Sequence, residues 1–167
     1  MNKCCILLLT FILFYVPMWS QEVAVKQAIN SVIDQWHLAA AEARLEDYFN
    51  AMSANAIFIG TDARENWHKD EFLRYAKPHF DKGKAWNFTA LERNLYVNDN
   101  ENIAWFDELL DTQMKLCRGS GVLQKIDGDW KISHYVLSIV IPNQNVSEVV
   151  QIKQETDDDI IEELKKQ

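Results

Sequence analysis

Between Val23 and Ala43, apolar residues recur at Val25, Ile29, Val32, Ile33, Trp36 and Ala40, with Lys26, Gln27, Asn30, Asp34 and Glu42 between them. Spacing by threes and fours gives a helix one apolar face, and no Gly or Pro interrupts the stretch. A short second helix is expected over Leu45 to Met52, with Tyr48, Phe49 and Met52 turned inward. Ile57-Phe58-Ile59 then reads as a short strand stopped by Gly60, and Thr61 to His68 as a loop. Lys69 to Phe80 is again helical, with Phe72, Tyr75, Ala76 and Phe80 on one side. Pro78 lacks the N–H that a helix interior needs, so a kink or an irregular end is expected there, and Gly83 closes the segment.

After Gly83 the period changes. Trp86 to Val97, Asn102 to Leu110, Gln113 to Ile126 and Trp130 to Ile141 are rich in aromatic and branched residues and read as strands. Asn98-Asp99-Asn100, Asp111-Thr112 and Asp127-Gly128-Asp129 separate them; Asp-Gly accepts the positive φ angles of a tight hairpin turn. Helices followed by a meander of long strands predict an α+β fold with the helices packed on one face of the sheet. Gly119 and Gly121, inside a strand, would let the sheet bend. A bent sheet with helices across its mouth makes a cone with a hollow centre. Beyond Pro142 the pattern fades into an acidic helical or flexible tail over 143–167, where Asp157-Asp158-Asp159 precedes Ile160 and Ile161.

The length of 167 residues suits one domain. A net charge of −8, with no cluster of Lys and Arg, excludes a nucleic-acid surface, because phosphate binding needs such a cluster. The start of the chain stands apart. Lys3 is the one charge before an apolar run from Cys4 to Val16, Pro17 ends the run, and Ser20 precedes Gln21. That is the pattern of a secretory signal peptide over 1–20, too short for the roughly twenty apolar residues of a bilayer span. The expectation is export to the periplasm or the medium, with no stable membrane span after cleavage. The exported part would keep Cys117 alone, so it could form no internal disulfide.

Three stretches carry a resemblance: Phe58-Ile59-Gly60-Thr61-Asp62, Ala104-Trp105-Phe106-Asp107-Glu108, and Arg118-Gly119-Ser120-Gly121-Val122-Leu123 running on to Asp127-Gly128-Asp129-Trp130 and His134-Tyr135. In this order, behind an amphipathic first helix, residues 23–142 resemble the SnoaL-like branch of the nuclear transport factor 2-like superfamily. The resemblance implies a cystatin-like cone or half-barrel and, often, a homodimer formed through the outer sheet face. The superfamily spans isomerases, cyclases, dehydratases, transport factors and association domains, so the fold assigns no activity. Isomerase-like members place a general-base carboxylate near the end of the first short strand; the nearest acid here, Asp62, comes slightly late.

Strand side chains alternate, so either Asp107 or Glu108 must face inward. An inward Asp107 would be a candidate acid–base group, or else a buried partner of Arg118 or Arg93. Of the neighbours His134 and Tyr135, one can enter the pocket: His as a proton shuttle, Tyr as a donor to an oxyanion. His37 follows Trp36 on the first helix and could complete a proton-transfer set with Asp107 and His134. Trp36, Phe58, Trp67 and Trp105 are candidates for an apolar lining, with Asp62, Arg118 and Tyr135 as polar fixtures. No H-x-x-x-H or paired-Cys spacing occurs in the exported part, so no metal site and no cofactor is expected. Three readings follow: a pocket protein for a small, largely apolar organic ligand; an isomerase, cyclase or dehydratase; and a dimeric interaction module.

Overall fold

The computed structural model describes residues 18–166, with side chains from 21 onward. The expected signal sequence lies outside them, save 18–20 at the start of the first helix. The elements run α1 (Met18–Ala41), α2 (Leu45–Asn50), β1 (Met52–Ile59), β2 (Asn66–His68), α3 (Lys69–Phe80), β3 (Phe88–Val97), β4 (Ile103–Thr112), β5 (Lys115–Ile126), β6 (Asp129–Ile139), a 3-10 turn at Asn143–Asn145, and α4 (Val146–Leu164). One six-stranded sheet has the order β2-β1-β6-β5-β4-β3. Neighbours are antiparallel except β1 and β6, which run parallel. The architecture is the expected α+β one, with a curled, unclosed sheet and the helices before it.

Local chemistry accounts for the elements. α1 buries Ile29, Ile33, Trp36 and Ala40 on the apolar face its sequence predicts. At the start of α3, the Glu71 carboxylate accepts the His68 N–H at 3.0 Å, satisfying a backbone donor that the helix leaves free. Pro78 falls in the last turn, and buried Phe80 holds the helix to its end, so the proline removes one bond without stopping it. Asp127 (φ 51°) and Gly128 (φ 92°) form the β5–β6 turn with positive φ at both central positions. Asn66–His68 pairs with Ile57–Ile59 as a strand where a loop is expected, being too short for alternation to register. The tail is a 19-residue helix with no buried residue, linked to the β1–β2 loop by Arg64 Nη2 to Glu163 Oε2 at 2.9 Å. No helix among the described residues is long and apolar enough to cross a membrane.

The cone is not hollow. Trp36, Tyr48, Phe72, Phe106, Leu123 and Tyr135 fill its centre and are 0–3% exposed. Gly119 and Gly121 serve that packing. A Cβ on Gly119 would stand 2.2 Å from the Tyr135 hydroxyl, and one on Gly121 would stand 2.7 Å from the Phe106 ring. The β4–β5 pairing runs unbroken across both glycines.

The irregularities lie elsewhere. In β3 the register passes from Ala90↔Leu110 to Glu92↔Leu109, leaving Leu91 as an extra residue. In β6 it passes from Ile132↔Leu123 to His134↔Val122, leaving Ser133 extra. Each bulge reverses which alternate residues face inward. Arg93 is thereby turned inward in β3, and Tyr135 in β6.

Candidate functional site

Glu108, opposite Arg93 in the β3–β4 ladder, is 0% exposed. His37 Nε2 lies 2.8 Å from its Oε1, and the Tyr135 hydroxyl donates to the same oxygen at 3.0 Å. Arg93 Nε donates to Oε2 at 2.9 Å, and its Nη2 lies 2.8 Å from that oxygen. Arg93 continues outward through Nη1 to Asp34 at 2.8 Å and Asn30 at 3.1 Å, both on α1. One buried carboxylate thus ties α1, β3 and β6 to β4.

Burial pushes the Glu108 carboxyl up, but bonding to His37 and the cation of Arg93 offsets this and leaves it below its ordinary value. Burial and the Glu108 charge push the Tyr135 phenol well up, so it stays protonated and donates. An ionised Glu108 requires the proton on His37 Nε2. His37 Nδ1 is then left buried without a protein partner among the described residues. Oε1 is engaged by both His37 and Tyr135 and Oε2 accepts from Arg93, so neither oxygen of Glu108 is without a protein partner. It is a structural anion.

The open space lies at the mouth of the cone, where β1, β6 and the β4–β5 turn end. A cavity of about 160 Å³ is walled by Phe58, Trp67, Phe72, Tyr75, Trp86 and Phe88, with Glu65 and Thr61 at its edge. Its rings lie nearly parallel: Trp67 on Tyr75 at 4.5 Å and 25°, Phe58 on Phe72 at 3.9 Å and 11°, Phe72 with Trp86 at 5.8 Å and 25°. Two larger recesses, one beside Lys84 and Asp111 and one beside Arg44 and Asp129, are lined by a majority of polar or charged residues. The aromatic cavity is the better ligand site.

The structure separates the residues that the sequence groups. Asp107 faces outward, 3.8 Å from Arg118 and 3.2 Å from the Asn94 amide nitrogen; Glu108 takes the inward place. His134 is also outward, because the extra Ser133 gives the inward place to Tyr135. His37, Asp107 and His134 therefore do not converge. Trp105 is 46% exposed and stacks on Tyr96 at 5.8 Å on the outer face, while Trp36 is sealed in the core against Tyr48 at 4.8 Å. Asp62 turns to its own loop, accepting the Arg64 N–H at 2.9 Å. Phe58 and Trp67 do line the cavity. Sequence reasoning left the inward acid open between Asp107 and Glu108, and it did not place Phe72 and Tyr75 at the cavity. Among the described residues no His, Cys, Asp and Glu group forms a metal cluster.

Glu108→Gln is expected to destabilise the fold by up to about 3–5 kcal/mol at neutral pH, because it removes Arg93's buried counter-ion and leaves only the exposed Asp34. The folded carboxyl value lies below the unfolded one, so this stabilisation is full above about pH 4.5 and is lost as pH falls through the lower folded value. Urea unfolding of both proteins between neutral and acid pH should show the gap closing on the acid side.

Residues 29–142 match the family model of the SnoaL-like domain. The sequence matches no curated protein. Among solved structures, a protein of unknown function with a cystatin-like fold from Nostoc punctiforme is similar at 14% identity and TM-score 0.57, over 71% of this chain and 92% of that one. A proposed dehydratase of the nuclear transport factor 2-like family from Streptomyces avermitilis is similar at 12% identity and TM-score 0.62, over 73% and 99%. A proposed ketosteroid isomerase from Shewanella frigidimarina is similar at 20% identity and TM-score 0.57, over 68% and 97%. With the model match spanning most of the chain, the protein belongs to the SnoaL-like domain family, and its fold is that of nuclear transport factor 2-like proteins.

Proposed function

We propose that this chain is an exported binding protein for a small, largely apolar organic molecule held at the aromatic mouth of the cone. The observation that carries the reading is the contrast between the two ends of the interior. The deep end is filled and its carboxylate is saturated by His37, Tyr135 and Arg93. The mouth offers about 160 Å³ of space lined by six aromatic rings. Small-molecule sites have this composition: mainly apolar and aromatic walls with a few polar groups at the edge.

A catalytic reading has one observation in its favour. His37 Nδ1 is buried, unpartnered and backed by Glu108 through Nε2, the arrangement of an oriented general base. Phe88 packs edge-on against His37 at 5.7 Å and itself lines the cavity, so a substrate would have to displace that ring to reach the nitrogen. Binding without turnover is the simpler account.

Export rests on the leader pattern of Lys3, the apolar run and Ser20-Gln21. A homodimer rests on the outer sheet face, where Tyr96 (48% exposed) and Trp105 (46% exposed) stack beside Val122. A pair of large rings left to water on a sheet face suits association with a second copy.

Trp67→Ala should weaken binding of small aromatic compounds about tenfold while the protein stays folded, read by tryptophan quenching and thermal shift. If no compound in a chemically mixed set shifts the melting temperature, the pocket reading fails. Trp105→Glu should convert a dimer to a monomer by light scattering with a stability change of about 0.5 kcal/mol or less; a wild-type protein that is already monomeric removes the dimer. Sequencing the amino terminus of the native protein should find Gln21 first in the exported fraction, and an intact Met1 in the cytoplasm would overturn export.

A further inference from the structure

Among the described residues, Glu65 is the one acid that lines the aromatic cavity. Its position is built by the backbone of its own loop. Gly60 N–H donates to the Glu65 carbonyl at 2.9 Å, and Glu65 N–H donates to the Asp62 carbonyl at 3.0 Å. The carboxylate accepts the Asp62 N–H at 3.2 Å. It lies so close over Gly60 that a Cβ there would stand 2.1 Å from Oε2 and 2.9 Å from the carboxyl carbon. A side chain on residue 60 would drive the carboxylate out of this place.

No cation meets it. Arg64, its neighbour in sequence, reaches away to Glu163 on α4, and Glu65 has no salt-bridge partner among the described residues. Glu65 lines the same cavity as the rings of Trp67, Phe72 and Tyr75. The Tyr75 phenol is pushed up by burial and further by the Glu65 charge. Trp67 stacks beside Tyr75, and Phe72 lies parallel to Trp67 at 5.7 Å and 13°.

An unpaired carboxylate beside apolar walls sets the sign of what can enter. Covering it with a neutral guest strips its water without return, and an anion is repelled. A cation neutralises it, and an alkylated ammonium also gains from the negative faces of Trp and Tyr rings. The net charge of −8 draws cations toward the chain as a whole.

We propose that the mouth cavity is a site for a small organic cation, an ammonium with an apolar or aromatic body, with Glu65 as counter-ion and the rings of Trp67, Tyr75 and Phe72 as its walls. This rests on the pocket reading given above and names the class of its ligand. Glu65 and the two exposed-edge rings, Trp67 and Tyr75, are the specificity-determining residues, and Gly60 is a positioning residue for the carboxylate.

Choline and its neutral isostere 3,3-dimethylbutan-1-ol have nearly the same shape and differ in charge, so the pair isolates the sign. Calorimetric titration of the full chain should give choline at least about tenfold tighter binding than the alcohol. Glu65→Gln should abolish that preference by weakening choline about tenfold, with the alcohol bound no more weakly than before and the melting temperature unchanged. Tyr75→Leu should weaken choline more than the alcohol. Should Glu65→Gln fail to fold, added sodium chloride provides the second measure on the wild type: it should weaken choline and spare the alcohol. Equal affinities for the two probes would overturn the cation site and leave the apolar pocket standing. The same holds if neither probe binds but neutral aromatic compounds do. If nothing of either charge binds, the pocket reading falls and this inference goes with it.

Discussion

Taking an ionised carboxylate out of water costs several kcal/mol, and no apolar packing returns that cost. Glu108 can therefore stand in the middle of this core only while every oxygen is answered, and much of the fold is arranged to answer it. α1 brings His37, β6 brings Tyr135, and β3 brings Arg93, which reaches on to Asp34 and Asn30 of α1. The absence of a side chain on Gly119 leaves the Tyr135 hydroxyl room to approach. Helix, sheet edge and central strands are held in one arrangement by a single charge, because any one of them moving away would leave an unpaired ion inside.

That arrangement also decides where function can lie. A core closed on its own ions has no room for a guest, so the interior is spent on stability and the aromatic-walled space is left at the rim. The two glutamates make the comparison direct. Glu108 sits on a central strand with protein cations against it, while Glu65 sits on a loop with ring faces beside it and its sequence neighbour Arg64 engaged elsewhere. The same side chain serves as a clamp in one place and, in the proposal above, as a receptor in the other, and the difference is who supplies the counter-charge.

Much of the fold was legible in the sequence because its signals are local and repeated. The spacing of Ile29, Ile33, Trp36 and Ala40 specifies one face of α1, Asp127-Gly128 specifies a turn, and four aromatic-rich runs specify the long strands. The site was less legible. Alternation correctly limits each of the pairs Asp107/Glu108 and His134/Tyr135 to one inward member, but it cannot choose the member. The choice depends on where Leu91 and Ser133 are squeezed out of their ladders, and that is decided by partner strands distant in the chain. Phe72, Tyr75 and Trp86 were readable as apolar residues of α3 and the approach to β3. That they meet Glu65 around a common space is a matter of tertiary packing, which periodicity does not carry.

The bulge at Ser133 also changes how variation along this chain should be judged. Identity at that position matters little, since its side chain makes a surface bond to Gln124. Its presence matters a great deal, because the parity of everything after it depends on being counted. Losing one residue there would exchange Tyr135 for a neighbour at the buried carboxylate, although every remaining amino acid would be unaltered. Within these strands, then, arithmetic is inherited as strictly as chemistry, and a relative differing by many substitutions can keep the core that a relative differing by one deletion has lost.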